Sequence, residues 1–280
     1  MTRLLTRAVQ AFAVFAALAL GGLWVGQEHL IFVPGQSHWE LPQDGERVEV
    51  RLEDGTQVVG LWGRALVDGR PIEDPRATPS AVLCLGNAGQ VARNLGTWRE
   101  FRELGANVLV FDYPGYGESG GEASEDSMRA AAEAMLGALR VRPDVDPKRL
   151  VSLGHSLGGA VAIDLASREP VAGLVALSTF TAMADMAWER YRVPAADVLL
   201  RHHFRSIDKL PGINVPTFLA HGTDDPVVPF TMLAGLRAAA GGPVTAMVAP
   251  GAHHDVLGGK AGAAVRAGLK EWFAGLPRRE

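Results

Sequence analysis

Cysteine is nearly missing from this sequence; Cys84 stands alone. A single thiol excludes an intramolecular disulfide and every multi-cysteine metal site. It lies inside the apolar run AVLCLG, which assigns it to a core rather than to reactive chemistry. An excess of charge of one sign is missing too. Lys and Arg number 27 against 31 Asp and Glu, a formal net of −4, with no long basic run. Nucleic-acid binding needs cations clustered against phosphate, so no nucleic-acid partner is expected. There are no internal repeats or low-complexity tracts, and nothing marks a second globular domain in the 280 residues. That length suffices for one large α/β domain with a well-buried core.

One long hydrophobic run is present. Arg3 and Arg7 precede AVQAFAVFAALALGGLWV, 18 residues in which Gln10 is the only clearly polar side chain. As a helix it would span about 27 Å, close to the hydrocarbon thickness of a bilayer. Positive charge before it, with Glu28 after it, favours a cytoplasmic N-terminus and a domain outside. A cleaved signal peptide is the rival, because Ala17-Leu18-Ala19 imitates a cleavage site. The run continues to Val25, however, so residues 1–28 are expected to form an uncleaved single-pass anchor and residues 29–280 the domain it carries. A buried soluble helix, the third option, would need partner surface on every face.

Beyond the anchor, RVEVRLEDGTQVVGLWG predicts two alternating strands around the turn signal Asp54-Gly55. The Pro- and charge-rich stretch from Arg64 to Ser80 reads as a loop. Short apolar runs then alternate with amphipathic segments: AVLCLG, NVLVFD, RLVSLG, VAGLVALS, VPTFLAHG and VTAMVAPG, closed by a helix over about Ala261–Phe273. Leu95, Trp98, Phe101 and Leu104 have helical spacing, as do Met128, Ala132, Met135 and Leu139. This alternation predicts a parallel sheet covered on both faces, with ligand-binding loops along one edge. One connection is longer, from Ser178 to Asn214, and holds Phe180, Trp188, Tyr191 and Phe204.

Gly154-His155-Ser156-Leu157-Gly158 matches G-x-S-x-G at the end of a strand and the start of a helix, the context that motif requires. The sharp turn presses the residues two before and two after the serine together, so both must be small. A plain N-cap serine would explain Ser156 alone, but the context makes it a candidate nucleophile. A serine hydroxyl needs a base, and the base an orienting acid. Downstream, FLAHGTDDPVVP offers Asp224 and Asp225, and VAPGAHHDVL offers His253 and His254. Adjacent histidines rarely point at one ion, so neither His253-His254 nor His202-His203 reads as a metal site.

The segments GNAG, DYPGYGESGG, GHSLGGAVAIDLA, HGTDDPVVP and GAHHD, together with the apolar N-terminus, resemble the α/β-hydrolases over about residues 30–274. The resemblance is to the membrane-anchored branch that includes lysophospholipid hydrolases and protein depalmitoylases. It implies an α/β-hydrolase fold: a mostly parallel central sheet, helices on both faces and a short cap at about 178–214. It also selects Asp225, four residues after the His of the HG pair, as the acid, leaving Asp224 to brace the loop. It selects His254 as the base, with His253 where glycine is usual. For the oxyanion hole it implies the backbone N–H of Leu157 and that of Asn87, in the loop after an early strand. Leu85 stands where relatives often have His, a departure that concerns how this loop is braced. Asp112 is expected to hold loop structure rather than act in catalysis.

These parts imply acyl transfer. His254, oriented by Asp225, takes the Ser156 proton as the hydroxyl attacks a carbonyl, and an acyl-enzyme is then hydrolysed. No metal or cofactor is implied. An anchor beside a site edged by aromatic residues suggests a lipid-like carboxylic ester or thioester as substrate. The rivals are a serine peptidase of the prolyl-oligopeptidase or aminopeptidase-like type and an anchored, non-catalytic binding protein. The substrate-binding residues and the oligomeric state stay open.

Overall fold

The computed structural model describes residues 7, 10, 14–15, 21–22, 24–29 and 31–279. Most of the expected anchor, residues 1–28, lies outside the described residues. Among those described, no helix is long and apolar enough to cross a membrane.

The domain opens with β1 (Glu46–Arg51) and β2 (Gln57–Gly63), an antiparallel pair that turns through Asp54-Gly55, where Gly55 takes φ 89°. The stretch read as a loop contains a small hairpin, β3 (Leu66–Val67) with β4 (Arg70–Pro71). Asp68-Gly69 turns it with both φ angles positive, at 51° and 75°. Two-residue strands are too short to leave an alternating pattern, so only the turn signal was there to be read.

The α/β alternation follows: β5 (Ser80–Cys84), α1 (Leu95–Glu103), β6 (Asn107–Phe111), α2 (Glu125–Arg140), β7 (Leu150–His155), α3 (Leu157–Arg168) and β8 (Gly173–Leu177). The long connection supplies α4 (Met183–Tyr191), α5 (Ala196–Leu199) and α6 (Ser206–Lys209). The chain ends with β9 (Thr217–Gly222), α7 (Met232–Ala239), β10 (Val244–Ala249) and α8 (Ala263–Gly275). The sequence reading had not singled out α7. Among the described residues, eight strands form one sheet in the order β1-β2-β6-β5-β7-β8-β9-β10. Among the described residues of this sheet, β1 with β2 and β2 with β6 are antiparallel; the other pairs are parallel.

Strands β5, β6, β8 and β9 are buried along their whole length, which is why they read as continuous apolar runs. The cores lie on the two sides of the sheet. Met128, Met135 and Leu136 of α2 join Val161 and Ile163 of α3 in one. In the other, Trp98 and Phe101 of α1 join Leu269 and Phe273 of α8. The strand order fixes where a ligand can sit. From β5 the chain crosses to β6 on one side, whereas from β7 it crosses to β8 on the other. The loops leaving β5 and β7 therefore part, and a crevice opens between them at the C-terminal edge.

Candidate active site

Ser156 stands in that crevice, between β7 and α3, with φ 56° and ψ −125°. This region is close to glycine-only, and holding serine there costs on the order of 1–3 kcal/mol. The side chain makes no cap hydrogen bond to the helix that follows, so capping does not account for it. What holds the turn is the backbone. Ser156 N–H donates to Leu177 O at 2.9 Å, and Ser156 O accepts from Thr179 Oγ1 at 2.8 Å. The flanking glycines are sterically required: a Cβ on Gly154 would overlap the Gly158 carbonyl, and one on Gly158 would overlap the Cys84 carbonyl. Gly158→Ala is accordingly expected to destabilise the domain by about 2–3 kcal/mol or more, since backbone carbonyls cannot step aside. Chemical denaturation would read this, and an unchanged midpoint would show that the two loops are not closely packed.

The loops after β9 and β10 bring the candidate acid and base together. Asp225 Oδ2 accepts from His254 Nδ1 at 2.8 Å. The Asp225 side chain is fully buried (0 % exposed), and its other oxygen accepts from the N–H groups of Val227 and Val228 at 2.8 and 3.0 Å. Burial alone would push this carboxyl pKa up. Hydrogen bonds from His221, His254 and the two backbone N–H groups reverse that and hold it well below the usual carboxylate range. Asp224 is exposed and accepts from Thr223 Oγ1 at 2.7 Å, and its N–H donates to Ala252 O. It braces the loop. His253 is exposed, whereas His254 is partly buried against the acid. With Nδ1–H given to Asp225, the basic nitrogen of a neutral His254 ring is Nε2.

Two histidines that the sequence reading did not assign complete this cluster. His221 is 1 % exposed, and its Nε2 lies 3.1 Å from Asp225 Oδ2 and 3.0 Å from Val228 O. Both neighbours are acceptors, so that nitrogen carries the proton. His155, directly before the serine, donates from Nε2 to the main-chain O of His254 at 2.9 Å. The two rings lie 4.7 Å apart, which ties His254 to the turn that carries Ser156. The signals that could have found them were the HG pair four residues before the acid and the histidine inside the serine motif.

Burial, and after it the neighbouring His254, lowers the pKa of His155. The folded protein thus binds fewer protons here than the unfolded chain, and the neutral ring costs nothing while pH stays above about 6.5. As pH falls below that value the unfolded state takes up a proton first, and stability is lost. His155→Gln should flatten the pH dependence of stability below about pH 6.5. A denaturant series from neutral to acid pH checks it, and parallel curves for the two proteins would refute it.

The loop after β5 reaches the same place. A Cβ on Gly86 would lie 3.5 Å from both Ser156 Cβ and His155 Nδ1. The bracing left open by Leu85 comes from elsewhere: Tyr113 O–H donates to Leu85 O at 3.0 Å, and Gly89 N–H to Gly86 O at 2.8 Å. The Asn87 side chain is also engaged. Its Oδ1 accepts from Val33 N–H and Tyr116 O–H, both at 3.1 Å, and its Nδ2 donates to Ile31 O. Leu157 opens α3, and the first N–H groups of a helix have no intrahelical acceptor. Asp112 is buried and accepts from Val91 N–H at 2.7 Å and Glu118 N–H at 3.1 Å, which fixes the loop beside the site.

A groove of about 120 Å³ runs beside the acid, between Met186, Glu189 and Arg190 of α4 and the Asp225–Pro229 loop. A larger cavity of about 270 Å³ lies at the opposite edge of the sheet, around Pro216, Pro243 and Trp272, and has no titratable residue in its lining. The aromatic residues of the connection divide into two kinds. Phe180 and Phe204 are core, whereas Trp188 and Tyr191 are 47 % and 75 % exposed. His202 packs edge-on against Phe32 at 5.0 Å, and His203 faces Asp197. Among the described residues no group of three His, Cys, Asp or Glu side chains could hold a metal ion.

A sequence profile described as the alpha/beta hydrolase fold matches residues 82–196. The Mycobacterium tuberculosis protein Rv2307c is 33 % identical over 256 residues, covering 89 % of each chain. YfhR of Escherichia coli is 30 % identical over 219 residues, covering 76 % of this chain and 74 % of that one. Among solved structures, the Pyrococcus furiosus esterase Pf2001 superposes with a TM-score of 0.67 at 19 % identity, over 86 % of this chain and 96 % of its own.

Proposed function

We propose that this chain, which belongs to the α/β-hydrolase superfamily, is a serine hydrolase that cleaves a carboxylic ester or thioester of a lipid-like acyl group. The observation that carries this reading is the 2.8 Å contact between His254 Nδ1 and a buried Asp225, set beside a serine in a strained turn at a helix N-terminus. Ser156 attacks the acyl carbonyl as His254 takes its proton, and the imidazolium so formed is stabilised by the Asp225 carboxylate. The N–H groups of Leu157 and Asn87 hold the developing oxyanion; the helix dipole of α3 adds to them. The leaving alcohol or thiol takes the proton from His254. Water, activated by the same ring, then releases the acid and restores Ser156.

The other part of the reading is the anchor. The 18-residue apolar run and the arginines before it support a single-pass segment that holds the domain on the extracytoplasmic side. A fluorophosphonate probe applied to the full chain and to Ser156→Ala tests the first part. Labelling lost only in the variant is expected, whereas no labelling of the folded wild type would turn the reading towards a binding protein. Rapid cleavage of a peptide amide with no cleavage of acyl esters would turn it towards a peptidase.

A further inference from the structure

The chain between the apolar run and β1 crosses the edge of the sheet that carries the site. Ile31 and Val33 are bonded to the Asn87 side chain, and Gly117 N–H donates to Gly35 O at 2.7 Å. Just before this, the chain is fastened to the cap. Residues 24–29 are helical. Gln27, only 6 % exposed, accepts from Arg201 N–H at 2.7 Å, and Glu28 pairs with the Arg201 guanidinium at 3.1 Å. That guanidinium lies 5.0 Å from the centre of the Trp24 ring. The foot of the helix is therefore clamped onto the segment between α5 and α6, next to the crevice.

Around this clamp several large apolar side chains are exposed among charged ones. Trp24, Trp188, Tyr191, Val198 and Leu199 are all exposed, Val198 at 82 %, and α4 and α5 pack against each other. Arginines lie among them: Arg192 sits 5.5 Å over the Trp188 ring as Arg201 does over Trp24. Tryptophan, tyrosine and arginine around aliphatic side chains match the boundary between lipid headgroups and acyl chains, where an amphipathic ring and a snorkelling cation are both satisfied. Large apolar side chains exposed on neighbouring elements mark a candidate interaction surface. Its occupant follows from continuity, since the patch is tied to the end of an 18-residue run long enough to cross a bilayer.

We propose that the outer face of the cap, α4 and α5 with Trp24, rests in the headgroup layer of a lipid bilayer, so that the Ser156 edge looks onto the membrane and acyl substrate enters from lipid. This rests on the anchor reading above. Entry from lipid passes the groove between α4 and the Asp225–Pro229 loop, beside the acid. The substrate class is then a membrane-resident acyl ester whose chain never leaves an apolar phase, rather than a dissolved short ester.

The test uses the full chain reconstituted in phosphatidylcholine–phosphatidylglycerol vesicles with or without lipids brominated near the headgroup. Tryptophan quenching is compared for the wild type, Trp188→Phe and Trp24→Phe. Both substitutions should remove part of the quenchable fluorescence. Loss with Trp24→Phe alone would overturn the placement of the cap and leave the anchor standing. Loss with Trp188→Phe alone would place α4 at lipid without Trp24 and overturn the proposal as stated, and loss with neither would overturn both it and the anchor reading. In a second arm, Trp188→Ser combined with Tyr191→Ser should leave hydrolysis of a water-soluble short ester unchanged. Hydrolysis of a long-chain ester in the vesicles should fall about tenfold, because interfacial affinity scales with the apolar area inserted. Equal effects on both substrates would overturn the proposal.

Discussion

Replacing Ser156 with alanine is expected to lower kcat for acyl ester hydrolysis on the order of 10⁵–10⁶-fold, with the melting temperature unchanged. The stability half of this expectation comes from local geometry. The hydroxyl caps nothing, and the turn is held by the Ser156 backbone N–H and carbonyl, which alanine retains. Alanine also keeps the strained φ of 56°. Glycine does not, so Ser156→Gly should be inactive yet more stable by about 1 kcal/mol, the strain it relieves. A position where the native residue is both indispensable for turnover and costly for folding is one kept for chemistry. Thermal unfolding and steady-state kinetics on the three proteins decide it. Substantial hydrolysis by the alanine variant would remove Ser156 as nucleophile. A glycine variant less stable than the wild type would remove the strain argument.

The second large effect is at the acid and base. His254→Ala should cost about as much as losing the serine, because the parts of a triad act as a unit, whereas His253→Ala, at an exposed ring, should leave kcat within a few-fold. Asp225→Asn should lower kcat on the order of 10⁴-fold. Asn can still accept from Val227 and Val228, but its amide would face the donating nitrogens of both His254 and His221, and the His254 ring loses the tautomer that exposes a basic Nε2. The same carboxylate carries a pH signature. Its folded pKa is depressed, so its contribution to stability is complete above its unfolded value of about 3.9 and is lost as pH falls towards the folded value. The stability gap between wild type and Asp225→Asn should therefore narrow in acid below about pH 4. A greater loss with His253→Ala than with His254→Ala would exchange the two roles. A gap that widens in acid would mean that another group sets the depression.

Much of this was readable along the chain because it is local. Gly154, Ser156 and Gly158 lie within five residues; the close approach that forbids a Cβ at Gly154 is a property of that turn, whereas the one at Gly158 comes from the Cys84 carbonyl on another strand. The buried strands announced themselves as apolar runs because both their faces are covered. The small hairpin of β3 and β4, residues 66–71, and the helix α7 did not stand out, the first because it has too few residues for a period. By composition alone Asp224 and Asp225 were equivalent, as were His253 and His254, and only resemblance ranked them.

What the sequence by itself determined is the succession of buried strands, the serine motif at a strand-to-helix turn and the short list of acids and bases, each legible from residues close together in the chain. Tertiary structure decided which neighbour of each pair turns inward: Asp225 to zero exposure and Asp224 to solvent. It also brought His155 against His254 across 99 positions, divided the cap aromatics into core and surface, and laid the residues after the apolar run across the site. The reason is that a side chain's direction at one position of a loop depends on what the rest of the chain packs against it. Neighbours along the sequence share composition but not surroundings, and the surroundings assign the roles.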